Sequence, residues 1–526
     1  MLRNLALASG ICLSGLAFSQ GNPLHSVSAS LDWGPLIEID DISDYEIIET
    51  DGDTLFIKAL KSEGYLSRMS LQLIKMNKNT FDIFWTQTVV DEKFADEYPE
   101  LNDFYYVDGR FMILSSCYLD DQEQFVRLRQ FVNNDGSTTP YEVIGSIKAE
   151  DEDDGYFYLY FDENREEFFY NTYQTEYDKE EDLRQHHVTI LDFDLKVLFE
   201  YDHTFDYTYE NCGLEEKGMD AEGNYYFLYS YPNPRYENNN DLPMYLYSIM
   251  RFDRGTSLLE EVKIPSNDYN LKTRDLILDN KNDQIVFTGL YENEKFDGPH
   301  GTFFFKVVQS TWALEYSEFT PFELSLQREY LDDDDIEDGD GLDDNLVLRR
   351  VIRRGDGGLL CLYQINYYTK RRVRTENGSY YEYTYVDNDL IAINHNSNGT
   401  VAWSKRIPKE FVDDTRAFQG FSITTLNDKL FIFYLDDEDS QEYWSGEDDE
   451  ISDVDMNSDT YVAMVTLDIS GNITYVQIEQ GEDDDDLWFA PRASIGTGKS
   501  NGELIMLRRD DDDFEEIRIG RFQAAD

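Results

Sequence analysis

The chain has 526 residues, with 45 Lys and Arg against 108 Asp and Glu, a formal net charge of −63. Apolar residues make up 41% and aromatics 15%, enough for a large core, which excludes wholesale disorder. Charge of this sign repels nucleic acid and anionic membrane surfaces and favours cations, basic partners or a salty medium.

Residues 1–19 read as a secretory signal peptide: Arg3, an apolar run from Leu5 to Phe18, and small residues at Ala17 and Ser19 before Gln20. Cys12 follows Ile11, where a lipoprotein site needs a small residue, so no lipid anchor is expected. No later apolar run approaches the roughly 20 residues of a membrane helix. The expectation is a soluble protein of the periplasm or the exterior, without membrane insertion. Beyond the signal stand Cys117, Cys212 and Cys361, an odd number that excludes a complete disulfide framework. Cys117 and Cys361 sit in strand-like apolar runs and read as buried small hydrophobes.

From there on the chain is short β-runs split by Gly, Asn and Asp turns, the pattern of an all-β fold. A strand–turn–strand unit recurs. Ile391 to Trp403 is one copy, turning at Asn398-Gly399, and Val462 to Tyr475 is another, turning at Ser470-Gly471. Weaker copies run over 71–85, 126–141, 188–199, 246–259 and 303–314. Each copy follows a second hairpin, with turns such as Asp51-Gly52-Asp53, Asp108-Gly109 and Gly355-Asp356-Gly357. The unit is therefore four antiparallel strands, A to D, on the scale of a propeller blade. Blades are expected at about 44–91, 100–148, 154–206, 209–265, 268–322, 344–409 and 417–480, with an eighth at 486–523. That eighth blade lacks its last strand. Residues 28–40, containing Leu31-Asp32-Trp33, resemble strand D of the sixth blade and supply it. The sequence thus predicts residues 20–526 as one eight-bladed β-propeller, closed by the N-terminal strand completing the last blade and expected to be monomeric.

Asn398-Gly-Thr-Val-Ala-Trp403 resembles the repeat of quinoprotein-like and outer-membrane-assembly propellers, also found in secreted Bacteroidetes proteins. The resemblance implies the eight-bladed architecture. The Trp-docking motifs of the quinone enzymes are absent, so no quinone cofactor is expected.

The A–B and C–D turns read as tight, and the B–C and D–A connections as long. Both long connections emerge on one face, where function sits on loops over a rigid scaffold. That face is acidic: 436–459 carries twelve acids and no base, and 323–344 carries eleven acids and one Arg. Asp453, Asp455, Asn457 and Asp459 place oxygens at alternate positions, as a calcium loop does, and Asp338, Asp340 and Asp344 form a weaker match. Calcium is therefore the expected cofactor, with a solvated, salt-adapted surface as the alternative. Against this acidity, Arg274, Arg349, Arg350, Arg416 and Arg492 recur on or near strand A, which lines the channel of a propeller. Guanidinium forks suit planar oxyanions, so these five are the candidate ligand-binding residues. A B–C hairpin in blade 6 adds Lys370, Arg371, Arg372 and Arg374 beside Tyr380, Tyr381, Tyr383 and Tyr385. No HExxH, P-loop, GxSxG or Cys–His pair is present. The expected function is a non-catalytic binding or scaffold module for an envelope protein or a surface glycan. The alternatives are a propeller-based glycan lyase or hydrolase, with no assignable catalytic residues, and an outer-membrane assembly accessory.

Overall fold

A computed structural model describes residues 11–12, 29–38, 42–63, 68–89, 92–149, 155–162, 167–174, 183–208, 210–236, 239, 242–293, 298–375, 378–414, 416–448, 450–454, 460–480, 487–496, 502–510 and 516–524. Of the signal segment only Ile11–Cys12 falls among them, paired with Leu31 and Ser30.

The described residues form eight antiparallel sheets. Sheet 1 has strands A (Ile42–Asp51), B (Thr54–Glu63), C (Arg68–Asn77) and D (Ile83–Val89), hydrogen-bonded in that order. Sheets 2 to 7 repeat the meander over 100–148, 155–208, 213–263, 270–321, 346–407 and 422–480. In sheet 8, Trp488–Phe489 and Ile495–Gly496 pair one after the other along one edge of Glu503–Arg509, whose other edge pairs with Glu516–Ala524. The outer partner of Glu516–Ala524 is Ala29–Glu38, with Trp33 opposite Gly520 and Ile37 opposite Ile517. The fold is all-β, made of four-stranded antiparallel units.

Burial follows strand position. Strand B of sheet 5, Gln284–Glu292, is buried at every residue, because it has a neighbouring strand on each side and a neighbouring sheet on each face. Strand D of the same sheet, Ala313–Pro321, is mostly exposed. This is why B strands read as unbroken apolar runs and D strands as polar ones.

The first strands of neighbouring sheets touch. Gly213–Met219 meets Asn270–Asp279, which meets Leu346–Arg353, and Ser422–Leu426 meets Ile495–Gly496, which meets Ile42–Asp51. These inner strands are repeatedly bulged, at 47/49, 101/103, 215/217, 272/275 and 348/350. Successive sheets share apolar clusters across their faces. Sheets 5 and 6 share Phe304 with Tyr363 and Ile391, and sheets 6 and 7 share Leu362 and Leu390 with Ile432. One cluster joins sheets 7, 8 and 1, through Phe433, Ile505 and Ile57. Cys117, Cys212 and Cys361 are buried and unpaired.

Two expectations about the connections need correcting. In sheet 2 the long link is C–D, over 133–141, and the B–C link is the short 3₁₀ turn Asp120–Gln122. The acidic insertion 323–344 is not plain loop: it holds the helical turns Leu324–Gln327 and Asp333–Asp338. Asp332 caps the second by accepting from the backbone N–H of Asp334 and Asp335. Three further acids in that first turn suit the positive end of the helix, and Gly339 ends it at φ 86°. Chemistry of the helix ends overrode the repulsion among like charges.

Candidate functional site: an arginine-lined cavity

Strand A of sheet 6, Leu346–Arg353, pairs Leu348 with Tyr363 and Arg350 with Leu362, leaving Arg349 as the extra residue of a bulge. Consecutive residues in a regular strand point to opposite faces. The bulge re-aims them, so Arg349 and Arg350 both line one cavity of about 480 Å³. Sheet 8 contributes Arg492, from the 3₁₀ turn Pro491–Ala493, together with Ser494. Gln364 of sheet 6 and Ser422 of sheet 7 add polar atoms, and Phe421 and Ile495 add apolar wall.

Beneath the arginines lies a fully buried ion pair. Lys409 Nζ donates to Asp387 Oδ2 at 2.6 Å, with the two side chains 1% and 0% exposed. Asp387 also accepts from the Gly420 N–H at 2.6 Å and from Asn366 Nδ2 at 2.8 Å. Gly420 has φ +92°, and a Cβ there would meet Arg492 Cγ at 2.8 Å. Glycine therefore allows both the backbone N–H to reach Asp387 and Arg492 to lie across the top. Burial disfavours the Asp387 carboxylate, but Lys409, the Gly420 N–H and Arg492 outweigh it and hold its pKa below the usual range.

The arginines draw little from this acid. Arg349 Nη2 stands 4.0 Å from Asp387 Oδ1, and its Nε donates to Gln364 Oε1 at 3.1 Å. Arg350 donates to the Arg349 carbonyl at 3.2 Å. Arg416 lies over the Tyr385 ring at 4.5 Å and the Tyr368 ring at 5.8 Å. Among the described residues no carboxylate forms an ion pair with Arg350, Arg416 or Arg492. The pKa of Arg349 is lowered first by burial, then by Arg492, with Arg350 and Arg416 adding to it. That of Arg492 is lowered by burial and by Arg416 and Arg350, with Asp387 acting the other way. Three guanidiniums thus line one opening, and Arg416 adds to the repulsion among them. Such a group is completed chemically by an anion with several oxygens.

Of the five arginines expected from the sequence, Arg349, Arg350 and Arg492 line the cavity, and Arg416 lies on the Tyr385 and Tyr368 rings outside its lining. Arg274 does not join them: its Nη2 is 2.7 Å from Glu215 Oε2 and its guanidinium lies 4.7 Å above the Tyr247 ring. The bulge at Arg349 and the Asp387–Lys409 pair were not foreseen. Their one sequence signal is a charged residue, Lys409, set between the buried Ile407 and Phe411.

The acidic candidates are placed differently. Asp453 Oδ1 accepts from the Val412 N–H at 3.2 Å, and Asp455, Asn457 and Asp459 lie outside the described residues. Asp344 is paired with Lys272 at 2.5 Å. Asp340 edges a second cavity of about 310 Å³ with Tyr269, Tyr291 and His300, and Asp338 ends the helix Asp333–Asp338. Among the described residues no group of three or more acidic, His or Cys side chains is arranged to hold a metal ion. His186 is buried, whereas His187 faces out to Asp202 at 2.6 Å, so the adjacent pair is split between faces. No described helix is long and apolar enough to cross a membrane.

No protein-family model and no curated protein matches the chain. Solved structures do resemble it in part. The β-propeller domain of the trilobed protease from Pyrococcus furiosus is 9% identical, covering 84% of this chain and 94% of that one at a TM-score of 0.36. An ulvan lyase of polysaccharide lyase family PL25 is 9% identical over 79% of this chain and 90% of its own, at 0.35. Prolyl oligopeptidase B from Galerina marginata is 9% identical over 89% of this chain and 55% of its own, at 0.39.

Proposed function

We propose that the chain is an eight-bladed propeller acting as a non-catalytic binding module, and that the arginine-lined cavity is where it takes hold of an anionic group on its partner. The ring reading is supported by the eight sheets, the contacts between successive inner strands, and the cluster joining sheets 7, 8 and 1. Lys78–Glu503 at 2.8 Å and Arg509–Asp44 at 2.6 Å add ion pairs between sheets 8 and 1. Pairing of Ala29–Glu38 with Glu516–Ala524 then closes the ring with strands from distant parts of the chain, leaving no open seam between the first and last blades. The binding reading is carried by one observation: Arg349, Arg350 and Arg492 converge on one cavity over an acid already satisfied by Lys409. The module works in the periplasm or outside the cell, on an envelope protein or a surface glycan bearing carboxylate or sulfate. An acidic loop at 453–459 that binds calcium belongs to the same reading.

The test is thermal unfolding of the full chain with sodium sulfate or glucuronate against sodium chloride at equal ionic strength. An anion held at 100 times its Kd stabilises by about 2.7 kcal/mol. Sulfate or glucuronate is expected to raise Tm beyond chloride, and the double variant Arg349→Gln/Arg492→Gln to lose the difference. Equal responses in both proteins would sink the reading. Calcium at millimolar level should likewise stabilise more than matched sodium, with Asp455→Asn abolishing the excess.

A further inference from the structure

Strands B and C of sheet 6 run far past the rest of their sheet. Leu359–Thr375 and Gly378–His395 are the longest strands of the described chain, and strand A stops pairing at Ile365. Beyond that point they form a two-stranded ribbon with Tyr368 opposite Tyr385, Lys370 opposite Tyr383, Arg372 opposite Tyr381 and Arg374 opposite Ser379. Residues directly opposite in an antiparallel pair share a face, and alternate residues stay on it. One face therefore carries the bases Lys370, Arg372 and Arg374 and the rings Tyr381, Tyr383 and Tyr385. The other face takes the ion pair Arg371–Glu382, at 2.7 Å, and Val373.

Contacts agree with this register. Tyr368 lies 5.9 Å from Tyr383 and 6.1 Å from Tyr385 between ring centroids, and Lys370 Nζ is 5.1 Å from the Tyr381 ring. Tyr368, Tyr381 and Tyr383 remain 52%, 51% and 39% exposed. In a chain with 108 acids, the one acid that either strand places on this face of the ribbon is Asp387, opposite Asn366 at its foot, and it is buried and paired with Lys409. Asp413, opposite Tyr385 on the short strand Val412–Asp413, is a second acid that the register brings to its base. The ladder leads to the cavity: Arg416 stacks on Tyr385 and Tyr368, and Asp387 at the ladder's foot stands 4.0 Å from Arg349 Nη2 and accepts from Gly420, both of which line the cavity.

We infer that this ladder is an extended subsite for an acidic glycan chain whose end or branch is held in the arginine cavity. The inference rests on the binding reading above and adds the class of ligand. Exposed tyrosine rings stack on the apolar faces of sugar rings, and the interleaved bases meet carboxylate or sulfate oxygens. From Tyr368 to Arg374 the face extends roughly 20 Å at about 3.4 Å per residue, long enough for several sugars in a row. A polynucleotide also stacks on aromatics, but it carries a phosphate at every step and meets the repulsion of a −63 chain throughout its length. A glycan with one acidic group per disaccharide meets less of it. The ligand class is thus a sparsely charged acidic polysaccharide.

Titration calorimetry of the full chain with hyaluronan and unsulfated chondroitin oligosaccharides of four and twelve sugars tests this. The twelve-sugar chains should bind more tightly than the four-sugar ones by about tenfold or more, the scale of one or two added aromatic or cation contacts. Tyr381→Ala/Tyr383→Ala and Lys370→Gln/Arg372→Gln should remove the length dependence while leaving four-sugar binding and Tm as they were. All four positions are exposed, so the variants are expected to fold. Equal wild-type affinity for both lengths, or no effect of the ladder variants, would overturn the inference and leave the cavity reading standing. Tighter binding of a twelve-nucleotide oligothymidylate than of either glycan would overturn it in favour of nucleic acid. Loss of four-sugar binding in Arg349→Gln/Arg492→Gln is the separate mark of the cavity. No binding of either length would fail both.

Discussion

Arg274 and Arg349 occupy related places on the bulged inner strands of sheets 5 and 6, yet their surroundings are opposite. Arg274 has a carboxylate of its own, Glu215, and a ring to lie on. Arg349 has only a distant contact, 4.0 Å, with one buried acid whose oxygens already serve Lys409, Gly420 and Asn366, and it is repelled by Arg350, Arg416 and Arg492. The first arrangement closes a local charge account, and the second leaves positive potential pointing into an opening. The difference teaches that an arginine in an acidic protein becomes a binding group only when the fold keeps acids out of its reach.

Breaking the buried pair should have the largest effect on this contrast. Lys409→Met leaves Asp387 charged and fully buried, and should destabilise the chain by about 3–5 kcal/mol in chemical denaturation. The acid limb of stability checks the same pair. Asp387 has a folded pKa held below 3.8, so its contribution is complete above that value and is lost as pH falls through the folded pKa. Asp387→Asn should remove that portion of the acid limb, and an unchanged limb would show that the pair is not held as described.

A smaller effect sharpens the contrast by its sign. Arg274→Gln leaves Glu215 without its partner and should cost about 0.5–1 kcal/mol. Arg349→Gln relieves like-charge repulsion and should be neutral or stabilising by a few tenths of a kcal/mol at low salt, with the gain fading as salt rises. Denaturant midpoints of the two variants at low and high sodium chloride read this directly. Destabilisation of equal size in both would erase the distinction between the two regions.

Much of this architecture is legible in the sequence because it is local. The turns at Asn398-Gly399 and Ser470-Gly471 have glycines at φ 86° and 80°, a conformation that glycine adopts without strain. The apolar runs of strands B and C follow from burial on both faces. The helix Asp333–Asp338 was legible too, in Asp332 as its cap and Gly339 as its stop, but the acid run hid it. The recurrence of arginines near strand A was visible, whereas their fate was not.

What the sequence by itself determined is the four-strand unit, its repetition and the acidity around it, since turn chemistry and alternation act between residues close in the chain. Tertiary structure alone decided which arginines meet. Arg349 and Arg492 stand 143 positions apart, and their convergence depends on a bulge, a glycine at positive φ and a buried Lys–Asp pair. Charge interactions act through space, so no pattern along the chain could say that Arg274 would find an acid and Arg349 would not.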